Sequence, residues 1–406
     1  MLVILLKFLE VGSRAVFIVL TSYSLDIEQA GQFGLVVTLQ GLASFAIGYE
    51  RHIDVMRKQA GQPPDRFDTA VAQAITMYVA NSGWAVPIFV IALVLMAHLP
   101  PVLIALCVVI AISEQIMNIA YHMAMVEPRY RKMLAVTVVK NIVIAGVVVV
   151  AAIAGTIDLP DVLKAWAIAS AAGVGVIAVF WFGLSRAQAD PLPLRSVLET
   201  QYRASWTHFI LGLTAVITIQ IDRLLVGAVL TLEDAGIYFR HVLLVSMLYQ
   251  VFNIAFHNRI LPNVFVQGQQ GRVEPLLPIV RREYWNVLAF WVLSAIGGIV
   301  LDRLTGGYLL QRYNLEPLYF VGLLLASALR ARADLNALVF NALHHERTIF
   351  RLQLTSFALS LPVLTAMSML YGIPGLIAAT GIAALIYLTL STLRLVRLKS
   401  VTHNAV

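Results

Sequence analysis

The sequence predicts an all-α polytopic membrane protein with about 12 transmembrane helices, in two pseudo-symmetric six-helix lobes around a central cavity. The first observation is that 60% of the 406 residues are apolar and only 13% are charged, too few to cover a water-soluble domain of this length. The second is a succession of about a dozen apolar runs, each near the roughly 20 residues that span a bilayer. The third is a short segment that recurs half a chain later.

The recurring segment is an acidic turn between two apolar runs. Residues 25–34 align without a gap with residues 230–239: leucine, glutamate, alanine and glycine match, and an aromatic residue follows two positions after each glycine. We therefore predict a duplicated bundle, with an N-terminal six-helix lobe at 1–184, a cytoplasmic linker at 185–203 and a C-terminal six-helix lobe at 204–406. Halves with an even number of helices share one orientation in the membrane.

The individual helices are predicted from the apolar runs. The first run has neither a basic start nor a small-residue cleavage site, so we expect a retained helix rather than a cleaved signal. The single cysteine, Cys107, lies inside an apolar run, so no disulfide is expected. The helices are predicted at 2–22, 31–50, 69–97, 101–125, 133–156, 161–184, 204–230, 235–258, 284–303, 317–342, 352–371 and 373–393.

The distribution of charge predicts the orientation. Alternate connectors are rich in Lys and Arg, whereas the opposite set contains only Lys164, Arg303 and Arg312 and includes the acidic turns at 26–28 and 233–234. Because cytoplasmic loops are enriched in Lys and Arg, both termini are predicted to be cytoplasmic and the acidic turns to face outward. The net charge of +7 then reflects topology rather than nucleic-acid binding. The basic connector residues are Arg51, Arg57, Lys58, Arg66, Arg129, Arg131, Lys132, Arg186, Arg195, Arg203, Arg259, Arg272, Arg281, Arg282, Arg347, Arg351, Arg394, Arg397 and Lys399.

The sequence also excludes several classes of protein. The connectors are too short to hold a soluble catalytic module. The chain has no GxxxxGK phosphate loop, no GxSxG or HExxH motif, and no Cys/His set with metal-ligand spacing. We therefore predict a protein that is not an enzyme and that carries no cofactor or metal.

Ionisable residues inside predicted spans are the candidates for function, because each costs a few kcal/mol in a membrane and usually faces a bundle interior or a watery cavity. Lys7, Glu10 and Arg14 have an i, i+3, i+7 spacing and share one face of the first helix. Two interpretations are open: a salt-bridged structural stripe, or the lining of a polar cavity. The two cations outnumber the one acid, which favours the cavity.

Other ionisable residues lie in the fourth and seventh helices. Asp222 and Arg223 are adjacent and project about 100° apart, so we expect only one of them to face the cavity. Glu114 has no basic residue within a helical turn. It is either hydrogen-bonded in its neutral form or a site for a proton or another cation.

The remaining ionisable residues are Lys140 in the fifth helix, Arg240 in the eighth, and those of the tenth helix and of the end of the second. Arg330 and Asp334 are i, i+4 partners, for which a structural pair and a functional one are both open. Arg332 points elsewhere and has no obvious local partner. Glu50 and Arg51 lie at the inner end of the second helix, where an interfacial role is also open.

Together these residues suggest an anionic cargo. The predicted interior has more Lys and Arg than Asp and Glu. Arginine binds phosphate oxygens through two parallel hydrogen bonds, so a diphosphate joined to a lipid tail suits such a cavity.

Three short motifs resemble those of a known family. They are Gly31-Gln32-Phe33-Gly34, Gly48-Tyr49-Glu50-Arg51, and Asp222-Arg223 followed by Gly227 and Ala235-Gly236-Ile237-Tyr238. This pattern resembles the polysaccharide biosynthesis flippases of the multidrug/oligosaccharidyl-lipid/polysaccharide exporter superfamily. The resemblance implies two six-helix lobes around a cavity in the bacterial inner membrane. It also implies export, by alternating access, of a sugar carried on undecaprenyl diphosphate.

The resemblance also implies a site. In related lipid-carrier flippases, cations of the first and eighth helices line the chamber, and Arg14 and Arg240 lie in those helices here. The predicted substrate-binding residues are Arg14, Arg240, Arg51, Lys7 and Arg332, and the predicted ion-coupling residues are Glu114, Asp222, Glu10 and Glu50. The expected partners are membrane lipid, the lipid-linked oligosaccharide, and glycosyltransferases and a polymerase of the same pathway.

Two alternative functions are considered. A drug or cation antiporter of the same superfamily would need an acidic cavity, which the basic surplus disfavours. A membrane glycosyltransferase or polysaccharide polymerase would usually show a long outer loop or a catalytic acid motif. The longest outer connector, near residues 303–317, is short and has no acid pair at catalytic spacing.

Overall fold

The fold is helical throughout the part of the chain that the structure describes. The structure is a computed structural model, and it describes residues 2–52, 55, 63–126, 131–155, 157–184, 194–252, 258–268, 273–304 and 315–403. No β-strand occurs within these residues. The predicted all-α class is confirmed.

Each predicted span corresponds to a helix. The helices are α1 (Leu2–Ser24), α2 (Ile27–Gly48), α3 (Pro64–Ala92, continued by a π-helical turn at Leu93–Ala97), α4 (Pro101–Val126), α5 (Arg131–Ala154), α6 (Leu159–Leu184), α7 (Leu194–Val229), α8 (Leu232–Phe252), α9 (Asn258–Gly268), α10 (Leu276–Leu304), α11 (Pro317–Ala342) and α12 (Glu346–His403). The short α9 was not predicted as a span. Helix α12 contains the last two predicted spans.

The two spans within α12 are separated at Gly372. This glycine has φ 60° and ψ −140°, whereas the residues around it are helical. A residue with a Cβ rarely adopts such a combination, so glycine allows the break without strain. Pro374, two residues later, cannot donate a backbone hydrogen bond to the preceding turn. The sequence prediction of a boundary between residues 371 and 373 is therefore confirmed.

Nine helical segments of the described chain are long and apolar enough to cross a membrane by length and composition. Helices α1 and α11 are not among them, and α12 counts as one segment of 53 residues. Both α1 and α11 carry three ionisable residues, which are those proposed above as functional candidates. Helices α1 and α11 therefore fail the composition criterion because of their charged residues, which are also their candidate functional residues.

The described chain forms two compact units, Met1–Ile217 and Thr218–Val406, here called unit 1 and unit 2. Helix α7 begins at Leu194, inside the predicted linker, and its first part belongs to unit 1. Two hydrogen bonds attach this part to α3: Tyr202 Oη donates to Asn81 Oδ1 at 2.5 Å, and Gln201 Nε2 donates to Gln73 Oε1 at 3.0 Å. The lobe boundaries at residues 184 and 204 stay predictions.

The duplicated acidic turns have the same structural role in the two units. Each caps the N-terminus of the following helix. Before α2, Asp26 Oδ1 accepts from the Gln29 backbone N–H at 2.7 Å. Before α8, Thr231 Oγ1 accepts from the Asp234 N–H at 3.1 Å, and the Asp234 carboxylate accepts from the Thr231 hydroxyl at 2.8 Å. The small and aromatic residues that match after each turn are buried.

Aromatic side chains contact one another in the interior of each unit, among a larger number of aliphatic core residues. In unit 1, Phe17 on α1 contacts Phe33 on α2 and Trp166 on α6 edge-on, with centroid separations of 5.9 and 5.3 Å. In unit 2, Phe252 on α8 lies against Phe290 and Trp291 on α10 at 6.1 and 6.5 Å. Such pairs stabilise by about 0.5–1.5 kcal/mol beyond the area that they bury.

The orientation of the helices is open to a direct test. We expect a reporter that is active only outside the cytoplasm to be active when fused after Glu233 and inactive when fused after Val396, because the acidic turn faces outward and the basic C-terminal segment faces inward. Fusion-protein activity in whole cells measures this. Activity after Val396 would indicate an odd number of spans and contradict two lobes of the same orientation.

Candidate functional site

Unit 1 contains a polar cavity of about 430 Å³. Helix α4 lines it with Glu114, Asn118 and His122, whose i, i+4, i+8 spacing places them on one face. Side-chain amides and hydroxyls form much of the remaining wall. Among the lining residues described, the phenyl ring of Phe45 is the one aromatic ring without a polar atom. The polar lining residues are Glu10, Arg14, Gln40, Ser44, Glu50, His52, Glu114, Gln115, Asn118, His122 and Thr137.

Glu114 lines this cavity and accepts three hydrogen bonds at one carboxylate oxygen. Its Oε1 accepts from Lys140 on α5, from Trp166 Nε1 at 2.8 Å and from Ser170 Oγ at 2.9 Å, the last two on α6. Both members of the ion pair are buried. Neither interpretation drawn from the sequence anticipated this pair, because the cation lies on a neighbouring helix. The carboxylate therefore joins three helices as well as facing the cavity.

The candidate residues of α1 reach the same cavity. Glu10 and Arg14 both line it and are half-buried, as expected for a polar face on this helix. The side chain of Lys7 lies outside the described residues. Opposite charges from α1 and α4 thus meet in one space, with Arg14 acting electrostatically on Glu114 and Lys140.

The end of α2 brings Glu50 into the cavity. Tyr49 and Glu50 both have positive φ values, 50° and 53°, which are uncommon outside glycine. The Tyr49 ring stacks on Phe209 of α7 with centroids 3.9 Å apart and planes 10° apart, which fixes this break. Glu50 lines the cavity, whereas Arg51 is buried and is not among the lining residues described.

Unit 2 has its own cavity, of about 420 Å³. Asp222 and Arg223 both line it, so the expectation that only one would do so is wrong. Both side chains contact α8: Asp222 Oδ2 accepts from Tyr238 Oη at 2.5 Å, and Arg223 Nη2 donates to Ser246 Oγ at 2.7 Å. The long arginine side chain spans the angular offset between adjacent helix positions. Seven further lining residues carry hydroxyl groups, and apolar side chains form most of the remaining wall. The hydroxyl-bearing residues are Thr218, Ser246, Tyr249, Ser327, Ser356, Ser360 and Thr380.

The charged residues of α11 are paired. Arg330 Nε lies 3.3 Å from Asp334 Oδ1, which confirms the i, i+4 pair, and its guanidinium lies 4.5 Å from the ring centre of Tyr387. Tyr249 on α8 donates to Asp334. Arg332 lies over the ring of Tyr284 at 4.7 Å, a partner that helical spacing could not show. Arg330 lines the unit 2 cavity, and Arg332 is not among the residues described there.

Arg240, the predicted substrate cation of α8, is buried and lies outside the lining described for either cavity. Within the described residues, the expected basic surplus is absent from the unit 1 cavity, whereas the unit 2 cavity has one more arginine than acid. In unit 1, Glu10, Glu50 and Glu114 line the wall with Arg14, and in unit 2 Asp222 lines it with two arginines, of which Arg330 is paired. Several of the cations counted in the sequence instead lie over aromatic rings, form ion pairs or are buried away from the cavities.

Comparison with known proteins identifies the fold as that of MOP superfamily transporters. No family model and no curated protein sequence matches the chain. The lipid II flippase MurJ, in an inward closed conformation, superimposes with a TM-score of 0.72 at 12% identity, over 98% of this chain and 90% of that chain. An inward-facing multidrug resistance MATE family transporter of the MOP superfamily gives 0.68 at 11% identity, over 97% and 96%.

A third structure has the same fold. A MOP superfamily transporter from Pyrococcus furiosus, whose binding pocket has reverse polarity that suggests a different function, gives a TM-score of 0.59 at 12% identity, over 98% of this chain and 94% of that chain. Identities this low show a common fold alone, so the cargo must be argued from side-chain chemistry.

Sequence reasoning missed several residues of the site. Lys140, Trp166 and Ser170 each contact Glu114 from another helix, which spacing within one helix cannot indicate. Lys140 was recognised from the sequence as an ionisable residue in an apolar run, but its pairing with Glu114 was not predicted. Tyr238 carried another: in the ungapped repeat it aligns with Phe33, so a hydroxyl is added at a duplicated core position.

Proposed function

We propose that the protein is a flippase that moves a lipid-linked oligosaccharide, carried on undecaprenyl diphosphate, across the bacterial inner membrane by alternating access. The observation that carries the proposal is the lining of the unit 1 cavity. Arg14 faces a wall of amides and hydroxyls, formed by Gln40, Ser44, Gln115, Asn118 and Thr137. The protein acts as a transporter rather than an enzyme, with its termini in the cytoplasm.

The chemistry of this wall matches a phosphorylated glycan. Sugar hydroxyls donate and accept hydrogen bonds, as do amide and hydroxyl side chains, and a guanidinium binds phosphate through two parallel hydrogen bonds. A lipophilic aromatic cation would instead favour aromatic side chains beside an unpaired acid. Among the described lining residues Phe45 is the aromatic hydrocarbon ring, and Glu114 is paired with Lys140.

A drug or cation antiporter is the second candidate. Glu10 and Glu50 line the same cavity as Arg14, so its acidic content exceeds what the sequence predicted. MATE multidrug transporters share the fold as MurJ does. The two functions differ in their response to Arg14: a cationic cargo should bind more tightly when this arginine is neutralised, and a diphosphate more weakly.

Arg14 provides the test of the proposal. We expect Arg14→Ala to weaken binding of farnesyl diphosphate, a short polyprenyl diphosphate, by about ten- to a hundred-fold, because a charge-assisted hydrogen bond contributes about 1.5–3 kcal/mol. Arg14→Lys should restore part of the affinity, since it keeps the charge and loses the two-pronged geometry. Titration of the purified protein in lipid nanodiscs measures both variants.

The matched control is Arg195→Ala, which removes an exposed arginine paired with Glu199 in the same unit. It should leave binding unchanged. The double variant Glu10→Ala with Arg14→Ala separates substrate binding from a purely structural role. Recovery of glycan export in the double variant would show that Arg14 is not part of the substrate site. Tighter binding of a lipophilic dye cation to Arg14→Ala would favour the antiporter.

Glycosyltransferases and a polymerase of the same pathway are the proposed partners.

A further inference from the structure

We propose that Glu50, His52 and His122 form a proton-binding site at one end of the unit 1 cavity, and that it takes up a single proton that sets the charge of the space shared with Arg14. All three side chains line this cavity. Glu50 Oε2 lies 3.7 Å from His52 Nε2, and the two imidazole rings stack with centroids 3.9 Å apart and planes 18° apart. The role of this charge in cargo binding rests on the proposed function, whereas the proton site does not.

The backbone aims the carboxylate into the cavity. Helix α2 ends at Gly48, and the two left-handed residues that follow redirect the chain at Glu50. Adjacent left-handed conformations in residues with side chains cost free energy, and they persist where the surroundings fix them. Here Phe209 fixes the ring of Tyr49, and Gly212 allows α7 to approach closely: a Cβ at residue 212 would lie 2.7 Å from Phe45 and 3.3 Å from Glu50 Cγ.

The geometry limits the cluster to one proton near neutral pH. Glu50 and His52 follow the last residue of the membrane-spanning segment of α2, and burial raises the pKa of Glu50 to about 7 and lowers the pKa of His52 to about 4. Two charged imidazoles at stacking distance would repel one another strongly. The proton therefore resides on the Glu50 carboxyl group, beside a neutral His52, and the pair is then neutral overall.

Other titratable groups surround this cluster. Glu10 and Arg14 on α1 and Glu114 on α4 line the same cavity, and Lys140 on α5 pairs with Glu114. Tyr78 on α3 and Arg51 are buried and lie outside the described lining. Glu114 is compensated by its ion pair, and Glu10 and Arg14 have opposite signs. Glu50 is therefore the group whose protonation changes the cavity charge around neutrality: below pH about 7 it is neutral, and above it the carboxylate adds a negative charge.

The first experiment detects the proton without any cargo. Infrared difference spectra of the full chain in lipid nanodiscs, recorded between pH about 5 and about 9, should contain a protonated carboxyl signal with a midpoint near 7. The signal should disappear in Glu50→Gln and persist in the matched control Glu199→Gln, which removes an exposed carboxylate of the same unit. Persistence of the signal in Glu50→Gln, or its absence in the unchanged protein, would overturn the proposal.

Two further variants cover a folding failure of Glu50→Gln and test the histidines. Glu50→Asp keeps a carboxyl group and should move both the band and its midpoint. His122→Phe keeps a stacked ring on His52 and replaces a polar ring with an apolar one, which should raise the midpoint because the charged carboxylate becomes less well solvated. A midpoint that does not move in His122→Phe would contradict a three-residue site.

The link to cargo is measured separately. As the pH rises through 7, affinity for farnesyl diphosphate should fall in the unchanged protein by about tenfold more than it falls in Glu50→Gln. This difference is the expected repulsion between the diphosphate and one additional negative charge about 10 Å away in a partly hydrated site. The titration of the probe itself is common to both proteins and cancels. Failure of the probe to bind at any pH would contradict the proposed function and leave the carboxyl signal as the test of the proton site.

Discussion

Exchange of Lys140 for methionine is expected to lower the free energy of unfolding by about 3–5 kcal/mol, because it leaves the buried Glu114 carboxylate without its cation. Trp166 and Ser170 would still donate to this carboxylate, but neither carries charge. Reversible unfolding of the purified protein in mixed micelles measures the difference. A loss below about 1 kcal/mol would show that the pair is solvated like a surface pair, contrary to its burial.

Two variants make this prediction specific. Lys164→Met removes the cation of an exposed pair with Asp161, whose side chains are 54% and 61% accessible, and should leave the free energy of unfolding almost unchanged. Glu114→Gln combined with Lys140→Met removes both charges and should recover most of the stability, since apolar or neutral replacement of a whole buried pair is often nearly neutral. A double variant as unstable as the single one would mean that Lys140 stabilises the fold through packing.

The sequence predicted the helices well because their cause is local. A run of apolar residues determines a span regardless of the neighbouring helices, and a glycine or a capping carboxylate ends or begins it, as Gly372 and Asp26 show. The acidic turn predicted a repeat, and both copies cap a helix in the same way. Helix α7 differs from its prediction because its first residues are polar, and hydrogen bonds to α3 rather than hydropathy fix them.

The site was less predictable because its contacts join different helices. Spacing showed that Arg330 and Asp334 share a face, and the structure confirms their pair. It could not show that Lys140 reaches Glu114, that Arg332 lies over Tyr284, or which cations turn away from the cavities. Counting charges along the chain therefore overestimated the basic character of the interior. The polar wall around Arg14 is a better guide to cargo than net charge.

These contacts also distinguish two of the four acids that the sequence assigned to ion coupling. Glu114 has a cation partner and two further donors, so its replacement should affect folding first. Asp222 is held by the Tyr238 hydroxyl at Oδ2, while its buried Oδ1 accepts no hydrogen bond within the described part of the chain. It lines a cavity rich in hydroxyl groups, whose oxygens can share a proton or coordinate a cation. Of Glu114 and Asp222, Asp222 in unit 2 is therefore the acid that is available to bind a coupling ion.

Asp222→Asn is accordingly expected to reduce gradient-driven transport by about ten- to a hundred-fold, the effect of losing one or two charge-assisted interactions with the coupling ion. The side chain keeps its shape and an oxygen for Tyr238, so the unfolding free energy should change little. Tyr238→Phe is the matched control: it removes the donor to Oδ2 but leaves the carboxylate charge, and it should reduce transport less. The measurement is export by proteoliposomes with an imposed proton or sodium gradient, compared with downhill exchange without a gradient. Unchanged gradient-driven export by a normally folded Asp222→Asn protein would show that Asp222 has a structural role. An equal loss of export in Asp222→Asn and Tyr238→Phe would show that the hydrogen bond between the two residues matters, rather than the charge of Asp222.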